Sequence, residues 1–238
     1  MKVLRRLLAD KDQKPTVTVH GVATVLVIVA HGWLKLPDQE LAELKRIKSK
    51  LPKLRPGLTQ KNRDLLAVFN DEALLRRFLL LSDVLWKEAL ECHLPRNQRL
   101  VLAQVALLIG ILQITPLRRR NGCVLVFDRH ITGPNGPKAP ALVNIPADEM
   151  RTEIDYTGEL PLDLSRQLHH YRIKLAPELT GTVPKQLFMK IDGSAKTQGA
   201  VTNRLVYLLR KRLSLNMTMH PFRHVAAKLM LDANPGAY

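Results

Sequence analysis

The sequence predicts a mainly α-helical protein with one small antiparallel β-sheet, an α+β chain. Three observations lead there. Apolar residues recur at helical spacing over most of the chain, β-prone runs cluster in the stretch from Val124 to Leu162, and 46% of the 238 residues are hydrophobic, enough for a buried core. This length accommodates one large domain or two smaller ones.

Taken in order, the stretch 17–35 is mostly apolar and carries His20, His31 and Trp33. It is expected to be a helix of a small bundle, although its valines also suit a strand. Pro37 and Asp38 supply a stop and an N-cap for a second helix with an apolar stripe of Leu41, Leu44, Ile47 and Leu51. Its other face carries Lys45, Lys48 and Lys50, which suits a phosphate backbone and equally suits an ordinary solvated surface. Pro52, Pro56 and Gly57, with Lys53 and Arg55 among them, mark a linker, so domains are expected at 1–57 and 58–238.

Thr59 is expected to cap a helix facing inward through Leu65, Leu66 and Phe69, and Asp71 another with Leu74, Leu75, Phe78 and Leu79 apolar. Ser82-Asp83 would open a third, through Trp86 to Leu90. A long buried helix runs from Asn97 until Thr115-Pro116, followed at once by Leu117, Arg118, Arg119, Arg120 and Asn121. Three adjacent arginines cannot point the same way. Arg118 is the one expected to face inward, with Arg119 and Arg120 towards solvent or DNA.

Strand signals then take over at Val124 to Phe127, at Ala141 to Ile145 after the turn-rich 132–140, at Met150 to Ile154, and at Leu160 to Leu162 after a Thr157-Gly158 turn. Ser165 to Leu175 is expected to be a helix. Its His169 and His170 are adjacent and do not share a face, which disfavours a metal site. Leu187 to Met189 is a short strand candidate, and helices are expected over Gln198 to Leu213 and His220 to Asp232.

The charge points to a polyanion. There are 37 Lys and Arg against 21 Asp and Glu, a net +16. Residues 1–57 carry 12 basic and 5 acidic side chains, residues 184–224 carry 8 and 1, and the intervening 140–183 carries 4 and 7. Two basic zones separated by a near-neutral body suit a protein that grips a nucleic-acid backbone from two sides. An anionic membrane is a poorer fit, because the cations are not gathered on one amphipathic helix. The first 14 residues contain no apolar secretory core, and the apolar runs Val22 to Ala30 and Val101 to Ile114 are shorter than the ~18 residues of a membrane span. Cys92 and Cys123 are too few for a disulfide framework or a metal set, and are expected to be buried reduced thiols of a cytoplasmic protein.

Near the C-terminus, His220-Pro221-Phe222-Arg223-His224 opens a helix with His and Arg three apart on one face. Pro221 suits a first turn. A helix start favours an anion, so a proton donor and a guanidinium fork there could meet a phosphate. A solvated helix start with no ligand has the same pattern.

Together these segments resemble the catalytic domain of tyrosine recombinases, the phage-integrase family, over residues 58–238. The likeness is carried by Thr115-Pro116-Leu117-Arg118 after the long buried helix, by Ile145-Pro146-Ala147-Asp148-Glu149-Met150-Arg151 followed by Leu160-Pro161-Leu162, and by His220-Pro221-Phe222-Arg223-His224. Residues 1–57 then look like part of the family's helical core-binding domain. The resemblance implies site-specific DNA recombination and integration on double-stranded DNA, with homo-oligomers on the DNA, no small-molecule substrate, no metal and no cofactor. Its catalytic residues would be Arg118, His220 and Arg223, the two arginines neutralising the non-bridging oxygens and His220 handling protons. Lys45, Lys48, Arg119, Arg120, Lys196, Arg204 and His224 are the expected DNA contacts.

Two departures stand out. The family's hairpin lysine is matched by Arg151, a poor general acid, and no lysine occurs between Lys138 and Lys174; Lys138 or Lys196 would have to reach in. The family's nucleophilic tyrosine follows a Leu-Gly-His segment, whereas here Tyr238 comes straight after Asn234-Pro235-Gly236-Ala237 and is not expected to serve. A truncated recombinase is therefore the leading expectation. The alternatives are a catalytically inactive DNA-binding protein derived from the same fold, a type IB topoisomerase-like nicking enzyme, and a generic basic helical nucleic-acid binder.

Overall fold

Two compact units divide the chain, Met1–Leu58 and Thr59–Tyr238, and the structure, a computed structural model, describes residues 17–51, 58–133 and 138–234. The linker residues Pro52 to Gly57, the turn residues Pro134 to Pro137, the first 14 residues tested for a secretory core, and Tyr238 lie outside the described residues.

In the first unit, α1 (Val17–Gly32) packs on α2 (Asp38–Ser49) through Ala23, Ala30, Leu41, Leu44 and Leu51. The apolar run resolves as helix, but it is not buried throughout: Val25 and Ile28 are more than half exposed. A helix with one packing partner has one covered face, so a sequence apolar all round leaves the other face bare. Asp38 is not the cap. Pro37 holds that position without a side-chain bond, and Asp38 with Glu40 sits in the first turn, where carboxylates meet the positive end of the helix.

The second unit begins with α3 (Gln60–Ala67), where the Thr59 hydroxyl accepts from the Asn62 amide at 3.3 Å. In α4 (Glu72–Leu79) the Asp71 carboxylate accepts from the Ala73 and Leu74 amides. Both caps stand where the sequence puts them. Ser82 differs, because α5 (Leu81–Ala89) starts earlier; its hydroxyl instead donates to the Ala106 carbonyl at 2.9 Å, tying α5 to the central helix α6 (Arg96–Ile114). At 19 residues α6 is long and apolar enough to cross a membrane, longer than its apolar run alone implies. It forms the core of this unit, and Leu107, Leu108, Ile109, Ile111 and Leu112 have no exposed surface. Gly110 permits the close approach: a Cβ there would lie 2.8 Å from both Ser82 Oγ and Leu164 Cδ1.

Polar groups buried on α6 are paired, as burial requires. Arg99 donates to the Ala89 carbonyl and to Glu178, while Gln104 donates to the Tyr171 hydroxyl and the Met189 carbonyl.

The sheet is antiparallel in the order β1 (Ile131–Thr132), β2 (Leu142–Ile145), β3 (Tyr156–Glu159), with Ile131 opposite Val143 and Ile145 opposite Tyr156. Its membership differs from the expected strands. Met150 to Ile154 is turn, Leu162 begins a helix, and Thr157-Gly158 lies inside β3 instead of marking a turn. The reason is that the inner face of β3 is one tyrosine beside a glycine gap, so no apolar alternation betrays it. Val124 to Phe127 and Leu187 to Met189 make only isolated bridges, Val126 with Gln186 and Met189 with Ala195.

The expected helix from Ser165 is α8 (Leu162–His170), continued by a π-turn at Tyr171–Leu175 and by α9 (Ala176–Thr180). Pro177 has no amide hydrogen to donate to the preceding turn. Counting the short α7 (Arg119–Gly122), the remaining helices are α10 (Gln198–Leu213) and α11 (Met219–Ala233). Cys92 is exposed in the loop after α5, against expectation, and only Cys123 is buried.

Candidate functional site

The residue order at the end of α6 delivers Arg118. Pro116 cannot donate an amide hydrogen and disfavours helix at Thr115, so the helix stops there. The freed Ile111 carbonyl accepts from both the amide and the hydroxyl of Thr115, at 2.7 and 3.0 Å. Leu117 is buried, and Arg118, extended at φ −66° and ψ 150°, leads into α7. Arg119 and Arg120 are exposed.

α11 meets this corner. A Cβ on Gly122 would lie 2.5 Å from Met219 Cε, and the Cys123 sulfur is 3.4 Å from that of Met219. Burial raises the Cys123 thiol pKa, outweighing the Thr202 hydrogen bond and the Arg119 charge. Phe222 anchors the same helix in the core beside Phe78, ring centroids 5.5 Å apart. The outcome is a cavity of about 140 Å³ lined by Pro116, Leu117, Arg118, Asn121, Met150, Tyr156 and Arg223. Arg118 and Arg223, distant in sequence, are thus brought to one cleft.

His220 is exposed and does not line the cavity; its ring stands edge-on to His224, centroids 5.0 Å apart. His224 Nε2 lies 3.3 Å from the Asn62 side-chain amide nitrogen, within hydrogen-bonding reach. Its pKa is lowered by burial, then by the neighbouring His220 and Arg223 charges.

The β2–β3 connection is built differently. Glu149 pairs with Arg129 and with His130 Nε2 at 3.2 Å, and the Asp155 carboxylate accepts from the Ala147 amide at 2.7 Å. Burial pushes the Glu149 carboxyl up, but the His130 and Arg129 hydrogen bonds and charges outweigh it and leave it below its ordinary range. Met150 reaches the cavity and accepts from Asn121. Arg151 is exposed and outside the lining, so the matched position of the hairpin lysine is not part of this cavity.

Neither Lys138 nor Lys196 lines the cavity. The Lys196 ammonium points inward and donates to Gln104 Oε1 at 2.6 Å, with its pKa pulled down to about 8 by burial and then by Arg204. Arg204 lies on a separate groove of about 430 Å³ with Tyr207 and Lys211. In the first unit Lys45 is exposed and Lys48 half-buried. His170 packs edge-on against Trp86, and among the described residues no three His, Cys, Asp or Glu side chains gather as a metal set.

Tyr156 was not legible as a site residue. A usable signal was an aromatic two before a glycine, the spacing that lets a tyrosine lie flat along one strand face. Of the other described tyrosines, Tyr171 is sealed in the core and Tyr207 lies on the Arg204 groove.

No protein-family model matches the chain, and no curated protein matches it. Among solved structures it is similar to the XerH site-specific recombinase bound to difH substrate, a pre-cleavage complex, at 17% identity and a TM-score of 0.49. That similarity covers 92% of this chain, which spans 61% of the length of the other.

Proposed function

We propose that this protein binds duplex DNA and holds a backbone phosphate between Arg118 and Arg223, in the manner of a tyrosine-recombinase catalytic domain. The observation that carries the reading is that Arg118 and Arg223 both line one small cleft, in a chain of net charge +16. Two guanidinium forks can engage both non-bridging oxygens of a phosphodiester. The basic first unit, with Lys45, and the exposed Arg119 and Arg120 would add backbone contacts. Site-specific recombination by copies assembled on DNA, in a cytoplasmic setting, is the wider role proposed.

A second reading, DNA binding without cleavage, is favoured by the hairpin. Its aligned cation, Arg151, stays outside the cleft lining, and burial raises the pKa of Tyr156, the one described tyrosine in the lining, which disfavours its phenolate.

Anisotropy of a labelled duplex tests the clamp. Arg118→Ala and Arg223→Ala are each expected to weaken binding about 10-fold or more, as for a charged hydrogen bond, whereas Arg96→Ala, at an exposed site outside the cleft, should change it little. Equal losses at all three would sink the clamp. A nicked suicide duplex separates the two readings: a covalent protein–DNA adduct supports the recombinase, and tight binding without one supports the binder.

A further inference from the structure

We infer that Tyr156 is a neutral hydrogen-bond donor to the phosphate held by Arg118 and Arg223. The inference rests on the clamp proposed above and adds its third ligand.

Tyr156 lines the same cleft as both arginines. It is half-buried, and its hydroxyl is not among the sealed side-chain atoms left without a partner, so it stays open to a ligand in the cleft. A phenol is protonated at neutral pH and burial pushes its pKa further up, so the hydroxyl can donate where a phenolate would repel an anion. The backbone is arranged to admit it. Gly158, two residues on and on the same face of β3, carries no side chain, and a Cβ there would lie 2.8 Å from the Tyr156 oxygen and 2.7 Å from Thr115 Cγ2. The glycine therefore leaves the space that the hydroxyl occupies beside the Thr115–Arg118 corner.

Chemistry supplies the complement. A phosphodiester presents two anionic oxygens with more lone pairs than two guanidinium groups satisfy, and an aromatic wall lowers the local dielectric around the ion pairs. Arg151, outside the lining, does not compete for that position.

The distinguishing test is salt dependence, because losing a neutral donor and losing a cation differ in the counter-ions released. Binding of a labelled duplex would be measured over a salt series for wild type, Tyr156→Phe, Gly158→Ala, their double variant, Arg118→Ala, Arg223→Ala and Arg96→Ala. Tyr156→Phe should weaken binding about 3- to 10-fold with the slope of log K against log salt unchanged, while Arg223→Ala should reduce that slope by about 1. Gly158→Ala, by displacing the hydroxyl, should lose affinity that the double variant does not lose again. If Gly158→Ala fails to fold by circular dichroism, Tyr156→Phe alone decides.

Wild-type affinity in Tyr156→Phe, with Arg118→Ala and Arg223→Ala weakened, would overturn this inference and leave the clamp standing. Arginine variants no weaker than Arg96→Ala would overturn the clamp itself. A changed salt slope in Tyr156→Phe, or a covalent adduct mapped to Tyr156, would also refute the donor role.

Discussion

The two sides of the cleft are held by different physics. Arg118 and Arg223 project from segments locked into the core: Leu117 and Phe222 are buried, and Gly122 and Cys123 press against Met219. Across from them, the 146–155 connection is fastened by polar contacts, Glu149 with Arg129 and His130 and Asp155 with the Ala147 amide, while Arg151 stays exposed. Core packing fixes the backbone from which each arginine projects. Polar fastening by charged groups responds to pH and salt in a way that apolar packing does not. The difference teaches that the phosphate clamp should survive changes to the connection but not changes to the core beneath it.

The largest expected effect breaks the first side. Phe222→Ala should cost about 3–5 kcal/mol in denaturant unfolding, and at temperatures where the variant remains folded the Arg223 contribution to DNA binding should fall with it. A cost below about 1 kcal/mol would mean that the helix is not anchored there. Next, Gly122→Ala should destabilise by about 1–2 kcal/mol, overpacking against Met219 being partly offset by better helix propensity. Combined with Met219→Ala it should cost less than the sum of the two, and strict additivity would refute the lock.

The smallest effect concerns the other side. Glu149→Gln should cost on the order of 1 kcal/mol at pH 7 and leave duplex affinity within about twofold. Because the Glu149 carboxyl is held below its ordinary value, its stabilisation is complete above that value and fades as pH falls through the folded pKa. The stability gap between wild type and Glu149→Gln should therefore shrink as the pH is lowered from about 5 into the acid range below the ordinary carboxylate pKa. A gap that is constant over this range would show that the pairing contributes nothing.

Legibility followed the same divide. The α6 helix, its stop at Pro116, the caps at Thr59 and Asp71 and the helix carrying Arg223 were readable, because each depends on local rules of periodicity, missing amide hydrogens and short polar side chains. Ser82-Asp83 does not open its helix, which starts at Leu81, and the Ser82 bond to Ala106 has no local signature. β3 was missed because Tyr156 and Gly158 answer to what lies against them, Thr115 above all. Lys196 carries no mark of its inward bond to Gln104, a residue far away in sequence. Cys92 was expected inside from its residue type, and a loop left it outside.

By itself, then, the sequence determined the helical framework, the single small sheet, the basic charge and the two arginine motifs, since all of these are written in spacing and composition. Only the tertiary structure decided that Arg118 and Arg223 share a cleft, that Arg151 does not, and that Tyr156 does. Which side chains meet depends on how helices and strands far apart in the chain close over one another, and side-chain direction at a contact is settled by packing, not by local propensity.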